Sequence, residues 1–189
     1  MPPIRKSDRR PTRRRTWPGY TAAAAALGYA APHFWWGAGV AAMFPGDFAG
    51  APQDNLEAAI GYWVMGAVAV FGAVLSLALV SPWGRRIPAL LIAVPAGIAA
   101  CGMTLWGFTY FAMQYLLAAG RVVSSPAFAA KDAHPQAAWG LFWYALFLLW
   151  GITLGIAARQ RLRERPALRL AMHGARRRGL NRRDLKETD

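Results

Sequence analysis

The sequence predicts an all-α integral membrane protein, a bundle of four transmembrane helices with both termini cytoplasmic. Three observations carry that expectation. First, Thr16–Phe44, Ala58–Trp83, Ile87–Gly120 and Ala133–Ala158 contain no Asp, Glu, Lys or Arg. Second, each stretch exceeds the ~20 residues an α-helix needs to cross about 30 Å of hydrocarbon. Third, the basic residues alternate in position. Seven Lys/Arg precede the first stretch, Arg85 and Arg86 join the second to the third, and eleven follow the fourth. Only Arg121 and Lys131 fall in the other two connections, beside Asp47, Asp54, Glu57 and Asp132. Lys and Arg near span ends are retained on the cytoplasmic side. Four spans leave no room in 189 residues for a separate soluble domain, which usually exceeds ~50 residues.

Taken in order, residues 1–16 are basic, carry Pro2, Pro3 and Pro11, and have little apolar content. This composition predicts a disordered cytoplasmic tail. The membrane domain covers residues 17–158, with spans at about 17–43, 57–80, 88–117 and 136–157. The first uncharged run has 29 residues, longer than the roughly 7–15 of an export-signal core, so it is read as a retained span, interrupted by Pro32. An irregular outer loop, Phe44–Leu56, follows. The second span leaves through Ser81–Pro88, a compact turn in which Pro88 suits the first turn of the next helix. The third stretch is longer than a bilayer requires, so it must tilt, kink at Pro95 or project beyond the surface. The Arg121–Pro135 loop has room for a short helix. An Arg-rich cytoplasmic tail, 159–189, ends the chain, with Pro166 expected to break any helix there.

Small residues recur at helix-packing intervals. Gly151 and Gly155 form a GxxxG motif, and Gly72 to Ser76, Gly97 to Cys101 and Ala24 to Gly28 repeat the spacing with other small residues. Such spacing lets backbones approach where lipid supplies no hydrophobic drive between helices. Gly151 and Gly155 are therefore expected to pack helices, within the bundle or in a homodimer. The lone cysteine, Cys101, excludes an intrachain disulfide or a CxxC pair and is expected to be a buried packing residue.

Ionisable groups in hydrocarbon are costly and mark candidate sites. His33 is the one such side chain, other than Cys and Tyr, deep inside a span. Sixteen residues of rise place it roughly 24 Å across, in the outer half. Trp35 and Trp36 flank it, Trp63 begins the second span, Gln114 ends the third, and Trp139 and Trp143 open the fourth. Together these predict an outer aromatic cavity that binds an apolar or aromatic small molecule, oriented by His33 and Gln114. The alternative is interfacial anchoring, since Trp and Tyr gather at membrane surfaces in any case.

No catalytic or metal motif accompanies them. GxSxG and HExxH are absent, and Ser76 has no His or acid at matching depth. Haem needs an axial ligand, usually His; His134 and His173 match His33 poorly in depth, so no cofactor is expected. A net charge of +13 in a soluble chain would suggest nucleic acid. Here its distribution points instead to anionic lipid headgroups at the basic tails, with no nucleic-acid partner.

Two segments, Gly28–Gly39 (Gly-Tyr-Ala-Ala-Pro-His-Phe-Trp-Trp-Gly-Ala-Gly) and Pro82–Pro88 (Pro-Trp-Gly-Arg-Arg-Ile-Pro), resemble a bacterial, largely actinobacterial, family of small four-span membrane proteins of unknown function. The resemblance implies the four-span layout and no particular activity. The function expected is that of a non-enzymatic protein of the inner (plasma) membrane. It would bind a lipid, an apolar small molecule or a membrane-protein partner through its outer aromatic half. The rival expectations are a small transporter or its accessory subunit, and an enzyme acting on lipid or quinone.

Overall fold

The structure, a computed structural model, describes residues 15–45, 48, 55–122 and 137–184, the side chains of residues 55, 137 and 165–184 excepted. Most of the basic N-terminal tail, the helix envisaged between Arg121 and Pro135, and the last five residues lie outside this range. The elements are α1 (Trp17–Gly37), a single turn α2 (Asn55–Ala58), a π-helical stretch (Ala59–Val64), α3 (Met65–Val80), a 3-10 turn (Trp83–Arg86), α4 (Ala89–Ala118) and α5 (Ala137–Asp184). α2, the π stretch and α3 run end to end, so the architecture is a four-helix bundle.

Local chemistry accounts for the helix ends. Pro18 stands in the first turn of α1, where its missing N–H costs nothing. Pro88 is the N-cap of α4 rather than a helical residue. At the other end of α4, Gly120 takes φ +65° and donates to the Leu117 carbonyl at 3.1 Å. The left-handed turn closes the helix there. Two expectations about proline are corrected. α1 continues through Pro32 to Gly37, and α5 continues through Pro166. Each proline removes one N–H donor and crowds the carbonyl four residues back, but the helical ladder resumes on both sides of it. α4 likewise passes Pro95 unbroken, about 44 Å of rise over its length.

Three helices are long and apolar enough to cross a membrane: Leu56–Val80, Ala89–Ala118 and Ala138–Glu164. The fourth, α1, is shorter and less apolar. It stops at Gly37 rather than near Met43 because Gly39 (φ +83°) and Met43 (φ +60°) turn the chain away.

The helices make contact in the order α3–α1–α5–α4. α1 lies between α3 and α5, α4 packs chiefly on α5, and α3 and α4 touch only lightly despite the short turn between them. The core is mostly alanine: Ala22, Ala26, Ala69, Ala73, Ala96 and Ala157 are all buried, around Leu79 and Leu154. The large apolar side chains point outward, with Leu91, Ile98 and Leu105 each about two-thirds exposed. A soluble monomer rarely exposes so much apolar surface, whereas in lipid small residues inside let backbones approach. The chain is thus a multi-pass helical membrane protein.

Two small residues fix close contacts. A Cβ on Gly151 would lie 2.8 Å from Thr104 Oγ1 and 3.1 Å from Met103 Cβ, so the glycine admits α4. Gly155 faces Ala100 in the same seam. Cys101, expected to be buried, is exposed. Among the described residues no helix covers it there, and lipid accepts a thiol without the cost that water imposes on an apolar group. Near the 3-10 turn, buried Arg161 donates through Nη2 to the Gly84 carbonyl at 3.1 Å, tying α5 to the turn.

Candidate ligand-binding site

At the end of the bundle away from the 3-10 turn lies a partly open cavity of about 180 Å³. Tyr29, His33 and Trp36 of α1 form one wall, and Gly140, Trp143, Tyr144 and Phe147 of α5 form another. Trp106 of α4 and Pro45 from the loop after α1 complete it. Steps of three and four residues keep each set on a single helical face. Gly140 also lets α5 approach Tyr110 of α4, since a Cβ there would sit 2.8 Å from Tyr110 Oη.

The tryptophans present ring faces because their N–H groups are already engaged. Trp36 Nε1 donates to the Ala42 carbonyl at 2.9 Å, and Trp143 Nε1 to the Met43 carbonyl at 2.9 Å. The two rings meet edge to face, 5.9 Å apart at 87°. These bonds also hold the loop at Met43, which alone among the described non-glycine residues has a positive φ. Such a conformation costs about 1–3 kcal/mol and persists where its surroundings enforce it.

His33 supplies the polar centre. It is buried, its ring lies 4.6 Å from Tyr29 and 5.1 Å from Trp36, and its Nδ1 is 2.8 Å from the Tyr29 carbonyl. A carbonyl only accepts, so Nδ1 carries the hydrogen. Nε2 of the neutral ring is then an acceptor. Tyr144 is fixed by a hydrogen bond from Trp106 and by Tyr110, which stacks on it at 3.7 Å and 3°.

The π stretch contributes a second layer. It carries Tyr62 to within 6.4 Å of Trp36, and Tyr62, Trp36 and Trp143 form one buried cluster. π-helical turns are uncommon and often occur at functional sites. Tyr62 Oη is buried with no hydrogen-bond partner among the described residues.

The seven residues singled out from sequence therefore separate. His33, Trp36 and Trp143 line the cavity. Trp139 stacks behind Trp143, at 6.5 Å and 29°. Trp35 binds the loop through Ala42 at 3.0 Å. Gln114 stands farther back, hydrogen-bonded to Tyr110. Trp63 is half-exposed and packs on Phe34, 5.8 Å away, and over Gly37. Tyr29, Trp106, Tyr144 and Phe147 also line the cavity and were not among those candidates. The spacing 29–33–36 and 143–144–147 is the signal that marks most of them.

No model of a known protein family, no curated protein and no solved structure matches the chain. Among the described residues, no three of His, Cys, Asp and Glu gather as metal ligands would. What the cavity offers chemically is aromatic surface, an imidazole acceptor and phenol hydroxyls. That combination suits a ligand with an apolar or aromatic body and one hydrogen-bond donor.

Proposed function

We propose that the protein is a non-enzymatic, ligand-binding bundle of the inner (plasma) membrane, crossing it four times with both termini cytoplasmic. Its ligand is a small apolar or aromatic molecule held in the cavity around His33, with His33 Nε2 accepting its donor and Trp36 and Trp143 flanking its body. One observation carries this reading: a cavity of about 180 Å³ walled by aromatic rings around a single imidazole. The rest of the lining is mostly aromatic, which suits holding an apolar or aromatic body.

The four crossings are supported by the length of α1, whose 21 residues rise about 31 Å. Its alanine-rich faces contact α3 and α5, so they need less hydrophobicity than a lipid-facing helix. The alternating Lys/Arg distribution supports the orientation. Kinship with the bacterial, largely actinobacterial four-span family belongs to the same proposal and rests on the two segments that resemble it.

Native mass spectrometry of protein extracted in gentle detergent, with released molecules identified, is the test. We expect about one bound species per chain, lost in His33→Ala and in Trp143→Ala while both variants keep wild-type helicity. Wild-type protein that releases nothing refutes the reading, as does a species that both variants retain. Uptake into proteoliposomes would replace it with a transporter, and substrate-dependent turnover with an enzyme.

A further inference from the structure

A second concavity, independent of the aromatic cavity, runs along the open side of the α4–α5 pair. It encloses about 920 Å³ and is lined almost wholly by apolar groups. Its floor is formed where Gly97, Cys101, Gly151 and Gly155 bring both backbones near the surface. Gly97 has no atom within 4 Å of where a Cβ would stand. Among the described residues, the groove is lined by α4 and α5 alone.

One end of the groove is charged and the other is not. Arg159 lines one end, and Phe108 and Leu148 line the other. From Leu148 to Arg159 the helix rises about 17 Å. One leaflet of a bilayer contributes about 15 Å of hydrocarbon. The groove therefore has the length of one acyl chain, with a cation where that chain would meet its headgroup. Arg85, Arg86 and Arg163, at the same end of the bundle, are exposed as well.

We infer that this groove is a binding site for an anionic phospholipid of the leaflet at the Arg159 end. An acyl chain lies over Gly97, Cys101 and Gly155, and Arg159 pairs with the phosphate. Charge complementarity selects this occupant over a second copy of the chain. A copy docked by the same face would set Arg159 and its neighbouring arginines against their own kind, whereas an anionic lipid neutralises them.

The full chain, delipidated in detergent, is titrated with dioleoylphosphatidylglycerol or dioleoylphosphatidylcholine, and retained lipid is counted by native mass spectrometry. Wild type should retain one phosphatidylglycerol more tightly than any phosphatidylcholine. Arg159→Gln should weaken that lipid about fivefold, the worth of one basic side chain near an anionic surface, and Arg163→Gln should leave it unchanged. Gly97→Leu fills the groove without a clash, so it should remove the tight lipid from a protein that stays folded. As a second reading, phosphatidylglycerol should slow maleimide labelling of Cys101, the only thiol in the chain. Equal retention of both lipids overturns the proposal, as does retention that Gly97→Leu leaves intact. A wild-type dimer that Gly97→Leu converts to monomer, with no tight lipid, overturns it in favour of a second copy.

Discussion

A Cβ placed on Gly72 would overlap Trp150 Cζ2 and lie 2.9 Å from its Cη2. Trp150 cannot easily yield, being buried and packed against Tyr29 (6.2 Å) and Phe147 (6.0 Å). Gly72→Ala therefore sets two effects against each other. Alanine in the interior of α3 gains about 1 kcal/mol of helix propensity. Overpacking a rigid neighbour costs about 1–3 kcal/mol, and an overlap this deep belongs at the upper end. The net loss should be about 2 kcal/mol. In Trp150→Phe the ring no longer carries the two obstructing atoms, so there the same Gly72→Ala should be neutral or stabilising by up to about 1 kcal/mol. The coupling is then about 2–3 kcal/mol, large for a single contact. Reversible unfolding of all four proteins in mixed micelles of mild detergent and dodecyl sulfate measures it. Equal effects of Gly72→Ala in both backgrounds, within about 0.5 kcal/mol, would refute the reasoning that the Trp150 ring needs a glycine at position 72.

Four further outcomes follow from the same packing. Gly151→Leu should destabilise the bundle by more than 2 kcal/mol or so, because Thr104 and Met103 occupy the space, an overpacking larger than one methyl group; Gly97→Leu, with open space around it, should leave the unfolding midpoint at or above wild type. Ser76→Ala should cost under about 1 kcal/mol by the same measurement, although Ser76 is fully buried. Its hydroxyl donates to the Gly72 carbonyl at 2.7 Å, one turn back on its own helix, so no bond between helices is lost. Arg161→Gln removes the bond to the Gly84 carbonyl, a charged hydrogen bond of about 1.5–3 kcal/mol. Trypsin should then cut after exposed Arg85 and Arg86 several-fold faster than in wild type, and an unchanged rate would show that Arg161 does not hold the turn.

The sequence by itself determined the class of structure, since the signals involved are local or summed along the chain. Uncharged runs of this length have no stable home in water. The helical repeat was also enough to set His33 and Trp36 on one face. Which faces meet is a different matter. Trp35, Trp36 and Trp63 are alike in composition and predicted depth, yet only Trp36 reaches the cavity. α1 is wedged between α3 and α5, and its rotation turns Tyr29, His33 and Trp36 toward α5. The tertiary structure likewise decided that Cys101 lies on an open surface and that Gly72 makes way for Trp150. Each of these depends on contacts between residues far apart in the chain, chosen by side-chain shape across a helix interface. Hydropathy cannot encode that choice, because to an apolar scale the inside and the outside of a membrane bundle look alike.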